Sequence, residues 1–216
     1  MTVEVGTAGD RFELMHERAV YWPAARTLLV ADLHLGKSET LRASGVAMPA
    51  GVMEADLRRL AAALERTSAR RLIVLGDLLH AGSGLTTPVI EGFAAWRDAP
   101  ERREIEISVT VGNHDRALAG VAGAWRLTWV GEELSESGFV FRHGPEVRAG
   151  AYVWAGHVHP MVRLRGGGDC VRLACFWLSG RVGLLPAFSA FTRGVSVKPG
   201  SDDRVYALAP GGVFKV

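Results

Sequence analysis

Two cysteines, Cys170 and Cys175, are all that the 216 residues hold. CVRLAC is not a zinc-ribbon spacing, and two thiols allow at most one disulfide, so a disulfide-stapled scaffold is excluded. The simplest reading makes both of them small buried apolar side chains in a reducing cytoplasm. Lysine is scarce as well. Lys37, Lys198 and Lys215 are the only ones among 25 basic residues, which leaves 22 arginines. The planar fork of arginine suits phosphate, although an arginine-rich chain with abundant Ala and Gly fits a GC-rich genome equally well. A formal charge of +2 does not by itself identify a polyanionic partner. No apolar run reaches the roughly 18 residues of a membrane span. The first 20 residues carry acids and no basic-then-apolar pattern, so no signal peptide is expected. Repeats, low-complexity tracts and linkers are absent. With 48% hydrophobic and 22% charged residues, the composition predicts a globular chain forming one domain over residues 1–216, with no membrane association and a cytoplasmic location.

What is present alternates between two periodicities. TLLVADLH (27–34) and RLIVLGDLLH (71–80) are apolar runs with polar ends, and EIEISVTVGNHD (104–115) alternates before reaching a third such end. Residues 50–66 place Val52, Met53, Leu57, Leu60 and Leu64 at helical spacing. Residues 88–97 predict a second helix, with Pro88 suited to its first turn. Beyond residue 138 strand follows strand: GFVFRHG, AYVWAGHVHP, VRLACFWL, RVGLLPAF, DRVYALA and GGVFKV. Helices interleaved with strands, then strands alone, predict an α/β domain of mixed sheets packed face to face with helices outside.

The polar ends form a series: Asp32-Leu33-His34, Gly76-Asp77-Leu78-Leu79-His80, Gly112-Asn113-His114-Asp115, His143-Gly144 and Gly156-His157-Val158-His159. Six of the seven histidines belong to it, and His16 alone does not. Each motif singly is a common loop or cap sequence. Five in series at strand ends point to one site. A buried cluster of Asp, Asn and His without a cation would leave polar groups unpaired at about 1–3 kcal/mol each, and divalent metal removes that cost.

DxH, GDxxH, GNHD, H and GHxH in this order resemble the signature of the calcineurin-like metallophosphoesterases. The resemblance implies a four-layer α/β/β/α sandwich of two mixed sheets with flanking helices, with the site at the strand ends. It implies Asp32, His34 and His159 on one metal and Asn113, His143 and His157 on a second, with Asp77 bridging. The GHxH pair would then give one imidazole to each ion. His114 would contact the scissile phosphate and assist the leaving oxygen, and His80 would orient His114. Carboxylate, amide and imidazole without thiolate suit Mn²⁺, Fe²⁺ or Zn²⁺ better than Ca²⁺, and the resemblance implies Mn²⁺ among them.

Longer stretches, among them ADLHLGKSETLRASGVAMP (31–49), FRHGPE (141–146), GHVHPMVRL (156–164) and CFWLSGRVGLLPAF (175–188), are similar to the bacterial ligase-associated DNA damage response endonucleases. That similarity implies a Mn²⁺-dependent DNA phosphodiesterase that uses hydroxide attack at a two-metal centre. DNA is the implied partner, in functional association with a DNA ligase, a helicase and an exonuclease. The tail departs from the family pattern at Ser189 and Arg193. A small-molecule or nucleotide phosphodiesterase or phosphatase is the alternative activity, and a non-catalytic scaffold of the same fold is a third reading. Oligomeric state is left open. Arg116, next to GNHD, is a candidate for substrate phosphate. Lys37 and Arg42 fit either phosphate or a solvated helix, and Arg163, Arg165 and Arg172 fit either a DNA backbone or the protection of a sheet edge. Trp154, Phe176 and Trp177 are expected in the core, and GGGD (166–169) as a hairpin turn.

Overall fold

The computed structural model describes residues 2–216. Its first sheet follows chain order: β1 (Val3–Thr7), β2 (Asp10–Met15), β3 (Ala19–Trp22), β4 (Thr27–Val30), β5 (Arg71–Val74), β6 (Glu106–Val109) and β7 (Thr128–Trp129). Strands β1 to β4 pair antiparallel and β4 to β7 parallel. The parallel crossovers carry α1 (Lys37–Ala43) and α2 (Val52–Thr67) before β5, and α3 (Thr87–Asp98) before β6. Helix α2 buries Leu57, Leu60, Ala63 and Leu64, the stripe its spacing predicts. Helix α3 has Pro88 in its first turn and buries Val89, Phe93 and Trp96. Both stripes pack on one face of the sheet, against Leu28, Val30, Leu72, Val74 and Ile107.

The second sheet is β8 (Glu133–Glu136), β9 (Phe139–Arg142), β10 (Tyr152–Ala155), β11 (Pro160–Gly166), β12 (Asp169–Leu178), β13 (Val182–Leu184) and β14 (Val195–Ser196), in spatial order β14-β11-β12-β13-β10-β9-β8. Strands β15 (Arg204–Ala209) and β16 (Gly212–Lys215) extend it from the end of β12. The two sheets face each other through Phe12, Trp22, Leu29 and Ile73 from the first and Phe139, Phe141, Trp154 and Phe176 from the second. Phe12 meets Trp154 at 4.9 Å and Trp22 meets Phe139 at 5.3 Å between ring centroids. Burying each such ring contributes about 1.5–3 kcal/mol.

The expected α/β sandwich of two mixed sheets with flanking helices is therefore present, and its helices are unevenly placed. The outward side chains Val140, Val153, Ala155 and Leu184 of the second sheet pack with Trp177 and Val182, and no helix among the described residues joins them. Trp154 and Phe176 lie in the core as expected, whereas Trp177 is half-buried on the outer face with its indole nitrogen donating to Asp203. Cys175 is buried, but Cys170 is exposed, which corrects the expectation of two buried thiols. The reason is that β11 and β12 run on past their neighbours as a hairpin, and Cys170 sits near its tip. GGGD is that hairpin's turn, with Gly167 and Gly168 at φ 57° and 88°. No helix among the described residues is long and apolar enough to cross a membrane.

Candidate metal centre

Parallel strands share one carboxyl end, and here both sheets bring theirs together. In the first sheet Val30, Val74 and Val109 lie in register at the ends of β4, β5 and β6. In the second, Arg142, Ala155 and Leu184 end β9, β10 and β13. Each polar motif follows one of these ends. The pairing continues irregularly beyond the strands: Asp32 N–H donates to Gly76 O at 3.2 Å, His34 N–H to Asp77 O at 2.9 Å and His80 N–H to Leu35 O at 3.0 Å. In the second sheet Gly156 N–H donates to His143 O at 3.1 Å. The two sheets are joined at the site itself, because His157 N–H donates to Asp32 Oδ2 at 3.0 Å and the His143 Nδ1–H to Leu75 O at 3.0 Å.

Backbone conformation aims the side chains. Asp32, His34, Asp77, His157 and His159 all have positive φ, between 49° and 67°. That region costs a non-glycine residue of order 1–3 kcal/mol and persists where surrounding structure over-determines it. Crowding explains two of the motif glycines. A Cβ on Gly112 would fall on the main-chain nitrogen and Oδ1 of Asp77, and one on Gly156 would approach Asp32 Oδ2 to 2.6 Å.

Two compact groups of ligand atoms result, Asp32–His34–His159 and Asp32–Asp77–His143. Asp32, His34, Asp77 and His143 are all buried. His159 Nε2 lies 3.3 Å from Asp32 Oδ1. Asp77 Oδ2 lies 4.0 Å from His34 Nε2 and 3.6 Å from His143 Nε2. Asp32 also approaches His143, at 3.7 Å, but through Nδ1, which is committed to the Leu75 carbonyl. The other ring nitrogen of His143, Nε2, is the one nearer Asp77, and it shares a hydrogen bond with His157 Nδ1 at 3.0 Å. Asn113 is exposed and lines, with Glu132, Arg142, His143, Glu146 and His157, a cleft of about 370 Å³.

The donor set fits divalent metal. Both ring nitrogens of buried His34, and Nε2 of His159, have no hydrogen-bond partner. Buried polar atoms are rarely left so, and an ion supplies the missing partner. Burial, followed by the charges of Lys37 and neighbouring imidazoles, lowers the His34 pKa to about 2, so the ring stays neutral and one of its nitrogens keeps a lone pair available. For His159 burial acts in the same sense, but the Asp32 carboxylate overcomes it and the pKa is raised.

His114 stands beside this group with its side chain part-exposed. Its backbone N–H donates to Asp77 Oδ1 at 2.9 Å, and its Nδ1–H to the main-chain carbonyl of His80 at 2.7 Å. The rings of His80 and His114 stack at 5.2 Å. Position 80 thus holds His114 through a main-chain atom, and its side chain adds only the stack. Arg116 is exposed at the start of a short 3-10 turn and lines neither cleft beside the centre. Arg42 bonds Glu39 and the carbonyls of Met48 and Pro49 and so belongs to its helix. Lys37 is turned inward, half-buried, with Nζ on Thr192 Oγ1 at 3.0 Å. Burial lowers its pKa, against the pull of Asp32 and Asp77.

Two contributors escaped the sequence reading. Asp115 is buried and accepts from Leu79 N–H at 2.9 Å and Gly112 N–H at 3.0 Å, tying two ligand loops together. The tail segment 187–194 closes the His159 side: Ser189 N–H donates to Asp32 O and His159 Nδ1–H to Arg193 O. Asp115 was visible as the last letter of GNHD. The tail acts through main-chain atoms, which any residue supplies, and that is why Ser189 and Arg193 can depart from the family pattern.

Two mixed sheets whose carboxyl ends converge on buried aspartates and histidines, with a part-exposed histidine alongside, define a metal-dependent phosphoesterase. Comparison with solved structures agrees. The nuclease MPE of Pseudomonas putida is 33% identical to this chain, the match covers 100% of both chains, and the TM-score is 0.87. The chain belongs to the metallophosphoesterase family. A phosphoesterase of E. coli, Yfce, is 12% identical over 87% of this chain and 90% of its own, and its TM-score of 0.43 is too low to add to the argument. No protein-family model matches the chain, and no curated protein does.

Proposed function

We propose that the chain is a nuclease of one domain that hydrolyses DNA phosphodiester bonds at a centre of two divalent ions, Mn²⁺ in preference to Zn²⁺ or Fe²⁺. Asp32, His34 and His159 would hold one ion and Asn113, His143 and His157 the other, with Asp77 shared. The observation that carries this reading is the gathering of Asp32, His34 and His159, and of Asp32, Asp77 and His143, into two compact groups, with both ring nitrogens of buried His34 unpartnered. Bound there, the ions supply Lewis acidity toward a phosphoryl oxygen and activate water.

The chain's own residues do the rest. Loops from both sheets hold the ligands rigidly, so that little reorganisation remains for the reaction itself. His114 keeps one proton on Nδ1, fixed by the His80 carbonyl. A second proton can then be carried only at Nε2, the nitrogen 3.9 Å from Asp77 Oδ2, and delivered to a departing alkoxide. A cytoplasmic role in DNA repair, with a ligase, a helicase and an exonuclease as functional associates, belongs to this same proposal and is supported by the sequence resemblance.

The test is Mn²⁺-dependent turnover of single-stranded DNA, bis-p-nitrophenyl phosphate, p-nitrophenyl phosphate and cyclic nucleotides side by side. Cleavage of the DNA and of the diester is expected. Strong monoester activity with no turnover of DNA would replace the nuclease with a small-molecule phosphatase. Fewer than one bound cation per chain after Mn²⁺ loading would replace it with a scaffold.

A further inference from the structure

The β11–β12 hairpin projects beyond the sandwich. Strand β14 pairs only with Pro160 and Met161, and β13 and β15 reach β12 only from Cys175 onward. From Val162 to Ala174 the two strands pair with each other alone. Their register sets Arg163 opposite Arg172 and Arg165 opposite Cys170. Because strand side chains alternate, Arg163, Arg165 and Arg172 share one face, and Val162, Leu164, Val171 and Leu173 take the other.

Like charges directly opposite each other in a ladder destabilise it by roughly 0.2–1 kcal/mol. Nothing relieves the cost here: among the described residues no carboxylate forms an ion pair with any of the three. Elsewhere Arg42, Arg59, Arg66, Arg71, Arg126 and Arg148 each have such a partner. The row also leads somewhere. Arg172 Nη2 donates to Gly194 O at 2.9 Å, and the next residue, Val195, donates its N–H to His159 O at 3.1 Å. A cleft of about 210 Å³, lined by Arg18, His159, Met161, Arg172 and Thr192, joins that face to the metal centre. The cleft on the opposite flank carries Glu132 and Glu146, the latter paired with Arg142 at 2.9 Å. Arginine charge without a carboxylate partner thus lines the His159 side and not the other.

We propose that Arg163, Arg165 and Arg172 hold the phosphodiester backbone of the nucleic-acid strand beside the scissile bond, so that the strand leaves the centre along this hairpin. The inference rests on the reading of the centre as a nuclease. Edge protection, the competing use of these arginines, requires charge but no coupling to substrate length.

The test compares wild type with the double variant Arg163→Gln/Arg165→Gln, with Mn²⁺, on a single-stranded oligonucleotide and on bis-p-nitrophenyl phosphate, which is too small to reach the hairpin. The loss in kcat/KM on the oligonucleotide is expected to exceed the loss on the small diester at least about tenfold. The salt dependence of KM on the oligonucleotide is expected to be shallower by about 1.4 in log–log slope, two contacts at about 0.7 each. Arg163→Lys/Arg165→Lys, which keeps the charge, should retain most of that slope. Equal losses on the two substrates, or an unchanged slope, overturn the hairpin's role and leave the nuclease reading standing. A wild type that hydrolyses the small diester but no oligonucleotide overturns both.

Discussion

The two flanks of the metal centre use the same kinds of side chain in opposite surroundings. On one, Asp32 and His34 are buried, His159 is closed in by the tail segment, and the adjoining cleft is walled by Arg18 and Arg172. On the other, Asn113 and His157 are exposed to a wider cleft that carries Glu132 and Glu146. The difference separates two tasks. The closed flank is desolvated and preformed at a cost in unpaired polar atoms, so an ion there gains most from binding. The open flank is the one that solvent reaches.

Asp77 is the ligand proposed to be shared by both flanks, and replacing it should produce the largest effect. Asp77→Asn is expected to lower diester turnover by roughly 10³-fold and to reduce bound metal on both sides. Loss of a single ion, counted by elemental analysis after Mn²⁺ loading, would assign Asp77 to one flank only. His114→Ala should slow turnover by about 10²-fold with metal content unchanged. If that variant lost metal and kept its activity per bound ion, His114 would be a ligand.

The flanks should also differ in stability. His34→Leu removes two buried nitrogens that have no partner, so the metal-free protein should gain about 1–3 kcal/mol in urea unfolding while its metal binding fails. Asn113→Ala on the exposed flank should stay within about 0.5 kcal/mol. The pH dependence follows the same line. His34 has a lowered folded pKa, so on acidification the unfolded chain takes up a proton that the folded chain refuses. Metal-free stability should therefore fall below about pH 6.5, by up to about 1.4 kcal/mol per pH unit, and the slope should flatten in His34→Leu. His159 works in the opposite sense: its raised pKa contributes stability below about pH 6.5 that is lost as pH rises through the folded value. The smallest effect is expected from His80→Ala, a few-fold at most in kcat, because the atom that holds His114 is main-chain.

The apolar runs and helical stripes made much of the fold legible in the sequence, since TLLV, RLIV, FVFR and YVWA each became a strand. Residues 3–22 were left unassigned, yet they form β1 to β3. Their alternation is short, as the burial of Phe12 between exposed Arg11 and half-buried Glu13 shows, and it ends at once in the adjacent buried pair Leu14 and Met15. Five of the seven proposed ligands, Asp32, His34, Asp77, His143 and His159, gather in the two compact groups, and their motifs stood out because metal chemistry demands particular side chains. Tail contacts through Ser189 N–H and the Arg193 carbonyl did not, since main-chain groups carry no letter. The one-sided placement of the helices was also hidden, because periodicity says which stripe is buried and not which sheet it meets.

The positive φ shared by Asp32, His34, Asp77, His157 and His159 has a practical consequence for anyone dissecting the centre. Asparagine and glycine tolerate that torsion, whereas valine, isoleucine or threonine would clash with their own peptide groups. A β-branched knock-out would therefore distort the loop as well as delete the donor atom. Replacements unbranched at Cβ leave the loop closer to its native course and report the coordination chemistry more directly.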